Sequence, residues 1–218
     1  MNVSGKRRFF LSSMLALGLT TIVHTPHATT SQTTSKKNVL VIGDSLSAEY
    51  GLQRGTGWVE LIAQRLQERH PEYQIQNSSI SGDTTRGGVS RLPDALDTYK
   101  PSIVILELGA NDALRGLPLE ATRENLNHMI NMVHQTGARV LLVGMQIPPN
   151  YGRTYTRQFQ QLFPDLAQET GSALVPFLLE GIAADLGFFQ SDTIHPNEKA
   201  QPVLADTVWS ALAPMLQP

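Results

Sequence analysis

Five short apolar runs recur along the chain, and between them apolar residues fall at helical spacing. Asn38–Gly43 (NVLVIG), Tyr73–Ser78, Ser102–Leu108 (SIVILEL), Arg139–Met145 (RVLLVGM) and Ala173–Pro176 read as strands. Trp58, Leu61, Ile62 and Leu66 share one helical face, and Pro71 closes that segment. Val89, Leu92 and Leu96 mark a second helix ahead of Pro101. Leu119 to Val133 predicts a third, with Leu126, Met129, Ile130 and Val133 on one side and Gly137 beyond its end. Tyr155–Thr170 and Glu198–Leu216 complete the set, the last with Pro202 as a possible kink. Strands alternating with helices predict an α/β fold: a parallel sheet covered on both faces.

A sheet of this kind gathers ligands beyond the carboxyl ends of its strands. The segments just past the first three strands are Gly43-Asp44-Ser45-Leu46-Ser47, Ile80-Ser81-Gly82-Asp83-Thr84 and Gly109-Ala110-Asn111-Asp112. All are small, polar and rich in Gly, Ser, Asp and Asn.

The first thirty residues follow a different pattern. Lys6, Arg7 and Arg8 precede an apolar run of 15 residues, Phe9 to Val23, and a break at Thr25-Pro26-His27 leads to Ala28. That is signal-peptide anatomy, and the run is shorter than the roughly 20 residues a membrane span needs. Residues 1–28 are therefore expected to be removed on export to the periplasm or medium. Arg7-Arg8-Phe9-Phe10-Leu11 also fits a twin-arginine signal. Residues 29–37 are small and polar and read as a flexible leader to a domain spanning 38–218. No stable membrane anchor is expected, since no second long apolar run follows.

Composition narrows the partners. Hydrophobic residues make up 41% and charged residues 17%, the balance of a globular chain. Removal of Lys6, Arg7 and Arg8 with no acidic residue takes the net charge from −2 to −5. With no basic stretch in the mature chain, nucleic acid is a poor partner. There is no cysteine, which excludes disulfides and thiolate metal sites.

Ser45 follows a strand directly. Its hydroxyl can face the cleft, or it can cap a helix. Of the mature chain's four histidines, His70, His128 and His134 sit in polar helical segments. His195 lies in a polar loop, Ser191-Asp192-Thr193-Ile194-His195-Pro196, with Asp192 three residues before it. A serine needs a base to take its proton, and the base needs a partner to fix its tautomer; Asp192 and His195 supply such a pair. The alternative is a capping Asp beside an unrelated His. Acyl transfer also requires donors for a developing oxyanion. Candidates are the Ser45 and Gly82 backbone N–H groups and the Asn111 side chain, against plain turn or capping roles for the same residues.

Taken together, the Gly-Asp-Ser-Leu-Ser segment, the Gly82 segment, Gly-x-Asn-Asp at 109–112 and Asp-x-x-His at 192–195 resemble the four ordered blocks of the SGNH/GDSL hydrolases, over residues 38 to about 215. Longer stretches resemble the bacterial multifunctional thioesterase/protease/lysophospholipase (arylesterase) group: Ser79–Thr84, Glu107–Asp112, Leu114-Arg115-Gly116 and Pro149–Arg153. The resemblance implies a three-layer α/β/α sandwich with a five-stranded parallel sheet, the flavodoxin-like arrangement of that family. It implies Ser45 as nucleophile, His195 as base, Asp192 as its orienting group, an oxyanion hole of Ser45, Gly82 and Asn111, and no cofactor or metal. The segment through Arg115 and Leu117 resembles the family's substrate loop. Ile147, with Leu114 and Phe188, is a further candidate for an acyl groove. Glu49 replaces a small residue usual in relatives and is expected to bring a carboxylate near the cleft. The substrate expected is a small ester, a thioester or a lysophospholipid, and the enzyme is expected to be a monomer.

Two other classes fit some of these residues. Asp44, Asp83, Asn111, Asp112 and His195 could serve a metal-dependent phosphoesterase. A catalytically degenerate chain could bind acyl groups without cleaving them.

Overall fold

The computed structural model describes residues 1, 2, 5 and 36–216. Five parallel strands form one sheet in the order β2-β1-β3-β4-β5: β1 Lys37–Gly43, β2 Tyr73–Asn77, β3 Ile103–Glu107, β4 Arg139–Val143 and β5 Ala173–Val175. These are the five predicted runs, four of them trimmed where their ends leave the ladder and β1 longer by one residue. β3 is buried along its whole length, and so is β1 from Val39 onward, as strands covered on both faces must be. Lys37, expected in the leader, instead opens β1 opposite Tyr73, with its N–H on the Glu72 carbonyl at 2.8 Å.

The helices are α1 Trp58–Arg69, α2 Thr85–Tyr99, α3 Ala110–Leu114, α4 Leu119–Gln135, α5 Arg153–Thr170 and α6 Gln201–Leu212. The β1-to-β2 connection runs one way along the sheet and the later ones run the other way. Right-handed crossovers then put α1 on one face and α2, α4 and α5 on the opposite one. The packing agrees: α1 lies against α6, α2 against α4, and α4 against α5. The result is the expected α/β/α sandwich, and residues 36–216 belong to one compact unit. Trp58, Ile62 and Leu66 bury completely under the first face; Phe159 and Phe163 meet edge-on, 5.2 Å apart, under the second.

Two helices differ from expectation. α3 was not foreseen; it is five residues long and starts only because Gly109 takes φ +118. The last helix begins at Gln201, not Glu198. Asn197 Oδ1 takes the Lys199 N–H and holds 197–200 in a turn, and Pro202 sits in the first helical turn, where its missing N–H costs nothing. No kink results.

Strand order reverses between β1 and β3. The crevice at their carboxyl ends is the topological switch point of the sheet, and the loops after β1, β2, β3 and β5 converge there.

Candidate active site

Gly43 ends β1 with no room for a side chain, since a Cβ would lie 2.8 Å from Glu107 Oε2 and 2.7 Å from Ser47 Oγ. The chain then enters a series of turns and not a helix, because α1 starts only at Trp58 with Gly57 as its cap. Ser45 is thus not a helix cap. Asp44 folds the first turn by accepting the Leu46 N–H at Oδ1, 3.1 Å. This leaves Ser45 half-buried at the mouth of the crevice, its Oγ 3.0 Å from His195 Nε2.

His195 arrives from the loop after β5. Phe189 bridges Pro196, and the Gln190 N–H meets the His195 carbonyl at 2.8 Å, closing the loop on itself. Within it Thr193 takes φ +58, a conformation rare for a β-branched residue. Asp192 compensates by accepting three donors. Oδ1 takes the N–H groups of Ile194 and His195 at 2.9 and 3.0 Å, and Oδ2 lies 2.7 Å from His195 Nδ1. Asp192 caps no helix. The His195 N–H is the main cause that lowers the Asp192 carboxyl to about 2. An ionised carboxylate only accepts, so Nδ1 carries the ring hydrogen and Nε2 is free to accept from Ser45. Tyr50 covers the imidazole, centroids 4.4 Å apart. Gln190 Nε2 donates to the Tyr50 and Pro196 carbonyls and ties the serine and histidine loops together.

Gly82 follows β2 with φ +78. Among the described residues neither its N–H nor that of Ser45 donates a hydrogen bond, so both remain available to a ligand. Asn111, in the first turn of α3, points Nδ2 at Asp44 Oδ2, 2.9 Å away. One guanidinium connects the two loops. Arg91 of α2 donates to the Gly43 carbonyl (3.1 Å), to the Ser78 carbonyl and to Asp83 Oδ2 (2.7 Å).

The arrangement can remove a proton from Ser45 through His195. A cavity of about 360 Å³ adjoins it, lined by Ala110, Leu114, Met145, Ile147, Phe177 and Ile194 among others, and is mainly apolar. Two larger concavities lie near the C-terminal end of α2 and beside α5, but neither is lined by a serine or a histidine.

These residues match the GDSL-like lipase/acylhydrolase family model over 41–201. The chain belongs to the GDSL-like lipase/acylhydrolase family. This acylhydrolase is similar to the esterase TesA of Pseudomonas aeruginosa, 43% identical over 96% of this chain and 100% of that one. It is similar also to thioesterase 1/protease 1/lysophospholipase L1 of Escherichia coli K12, 38% identical over 82% of this chain and 84% of that one. A crystal structure of TesA superposes with a TM-score of 0.80 at 45% identity, covering 83% of this chain and all of the other.

The residues anticipated for substrate contact fall into two groups. Ile147 and Leu114 line the cavity; Arg115, Leu117 and Phe188 do not. Arg115 donates to the Gly82 carbonyl at 2.8 Å, and the Leu117 carbonyl accepts from the Tyr155 hydroxyl at 2.7 Å. Glu49, with φ +59, spends its carboxylate on the Gly55 and Gly57 N–H groups. Tyr50, Gln190 and Arg91 went unnoticed in the sequence, and Glu107 was given no role there beyond opening the Glu107–Asp112 stretch, although it stands out as an acid inside the apolar run SIVILEL.

Proposed function

We propose that this serine esterase works by two-step acyl transfer at Ser45. His195 takes the Ser45 proton as Oγ attacks an ester or thioester carbonyl, and Asp192 stabilises the imidazolium that forms. The Ser45 and Gly82 N–H groups and Asn111 Nδ2 hold the oxyanion. His195 then protonates the departing alcohol or thiol, and a water activated by His195 releases the acid. The observation behind this reading is the continuous relay of 3.0 Å from Ser45 to His195 and 2.7 Å from His195 to Asp192.

The apolar cavity beside Asn111 and His195 suits an acyl chain. Names of the relatives extend the range to thioesters and lysophospholipids, and we infer that small esters, thioesters and lysophospholipids are the substrate class. Among the described residues no helix is long and apolar enough to cross a membrane. The signal-peptide pattern over 1–28, which lies almost wholly outside the described residues, supports export to the periplasm or medium.

The phosphoesterase reading has less support. Both Asp112 oxygens are taken by the N–H and hydroxyl of Thr85, and Asp83 is paired with Arg91, so these carboxylates are engaged elsewhere.

Hydrolysis of p-nitrophenyl esters of increasing chain length tests the proposal. Ser45→Ala or His195→Ala should lower kcat by about 10⁴–10⁶, with no effect of chelator on the parent enzyme. Ester hydrolysis that survives Ser45→Ala would overturn it. An N-terminus at residue 29 in protein recovered from the periplasm would support the export assignment, and an uncleaved cytoplasmic chain would remove it.

A further inference from the structure

Behind the nucleophile lie two carboxylates that the acyl-transfer steps do not use. Asp44 is 1% exposed and Glu107 is fully buried. Glu107 Oε2 accepts from the Ser47 hydroxyl at 2.6 Å and from the Asp44 N–H at 3.3 Å; Oε1 has no partner. Burying such groups is costly, and the turn at 44–46 does not demand it, because a neutral Asn or Ser would close the same turn. A neutral Asn would not accept two hydrogen bonds on two separate oxygens. Asp44 does: Oδ1 takes the Leu46 N–H and Oδ2 takes Asn111 Nδ2.

We propose that Asp44 is a positioning residue for Asn111, gripping one amide hydrogen so that the other is aimed at the acyl oxygen beside Ser45. The inference rests on the proposed role of Asn111 as an oxyanion donor. Its physical basis is the asymmetry of an amide. A carboxylate accepts and never donates, so only the NH₂ end of Asn111 can face Asp44. The flipped amide would set its oxygen against Asp44 and would also remove the donor from the oxyanion. Preorganisation of this kind means that the donor needs no reorientation when charge develops.

The charge on Asp44 depends on its surroundings. Burial is the main influence and lifts its carboxyl to about 6; the Leu46 N–H and the Asn111 amide oppose the rise. His195, from the loop after β5, lowers it electrostatically, and Asp83, from the loop after β2 and paired with Arg91, raises it. Glu107 on β3 is raised well above its ordinary range, first by burial and then by Asp44. Asp44 is thus ionised at neutral pH, while burial and the Asp44 charge both disfavour ionisation of Glu107.

A double-mutant cycle on the full-length enzyme tests this, with a p-nitrophenyl ester above pH 7. Asn111→Ala should lower kcat about 10²–10³-fold. Asp44→Asn should lower kcat by about 10², with KM within about threefold. The double variant should fall no more than about threefold below Asn111→Ala alone, since both changes remove the same interaction. Circular dichroism verifies folding of each variant. An unchanged kcat in Asp44→Asn, or losses that multiply in the double variant, would overturn the inference while leaving the oxyanion role intact. A fully active Asn111→Ala would instead overturn the reading beneath it. If Asp44→Asn does not fold, Asp44→Ser, which can close the same turn but cannot hold the Asn111 amide on a second oxygen, takes its place in the cycle, and an unchanged kcat or losses that multiply would again overturn the inference.

Discussion

Asp44 and Asp192 build the same small turn and meet opposite fates. Each accepts, at Oδ1, the N–H of the residue two places on, and each offers Oδ2 to a side chain of the site: Asn111 in one case, His195 in the other. Yet one carboxyl rises to about 6 and the other falls to about 2. The local hydrogen bonds pull both in the same direction. What differs is water. Asp44 is sealed under the sheet's end beside Glu107, whereas the Asp192 side chain is 37% exposed. Desolvation exceeds the hydrogen bonds in the first case and yields to them in the second. The Asn111 side of the site is therefore buried at a cost, and the His195 side is a solvated loop held by its own aspartate.

The comparison fails most visibly if the two aspartates prove interchangeable in effect. Asp192→Asn should lower kcat by about 10⁴, because an amide can donate to Nδ1 and stabilise the wrong tautomer. That is about a hundredfold beyond the loss expected for Asp44→Asn. Equal losses measured in one ester assay would contradict the division of labour. Arg91→Gln should be milder, lowering kcat about tenfold while KM holds, since it loosens the joint between the serine and Gly82 loops without removing a donor. A loss confined to KM would place Arg91 outside that joint.

Thermal melting against pH gives the finest contrast. The Asp44 carboxyl is raised from 3.8 to about 6, so the stability it contributes is complete below 3.8 and lost as pH rises through 6. The melting point of Asp44→Asn relative to the parent should therefore climb across that interval. The Asp192 carboxyl is lowered from 3.8 to about 2, so its contribution is present above 3.8 and lost as pH falls through 2. The relative melting point of Asp192→Asn should climb in the acid direction, and by less, since solvent screens an exposed pair. Shifts of the same sign for both would show that burial does not separate them.

How much of this was legible in advance follows from the range of the interactions. The five strands were readable because each is a local run of apolar residues, and Ser45, Asp192 and His195 because each sits in a short patterned loop. The serine's distance from any helix was not, since Glu49 holds residues 49–57 in loop form through backbone contacts no pattern announces. Glu107 could be seen as an odd acid in β3, but its pairing with Asp44 spans 63 positions. The Tyr50 ring on His195 and the Gln190 strap join segments about 140 residues apart. Arg115 and Leu117 were placed by resemblance alone, and their contacts with Gly82 and Tyr155 join segments that no local pattern links.

The parallel sheet has one more consequence. Lys37 opens β1, and the Met215 carbonyl receives Arg139 at the opening of β4. All five strands run the same way, so Lys37 and Met215 both lie at the end of the sheet opposite Ser45 and His195. A bead, a carrier domain or a cell-surface tether joined through either end would leave the mouth of the crevice facing outward. The fold thus comes with its own handle, on the side where gripping it does not obstruct the substrate.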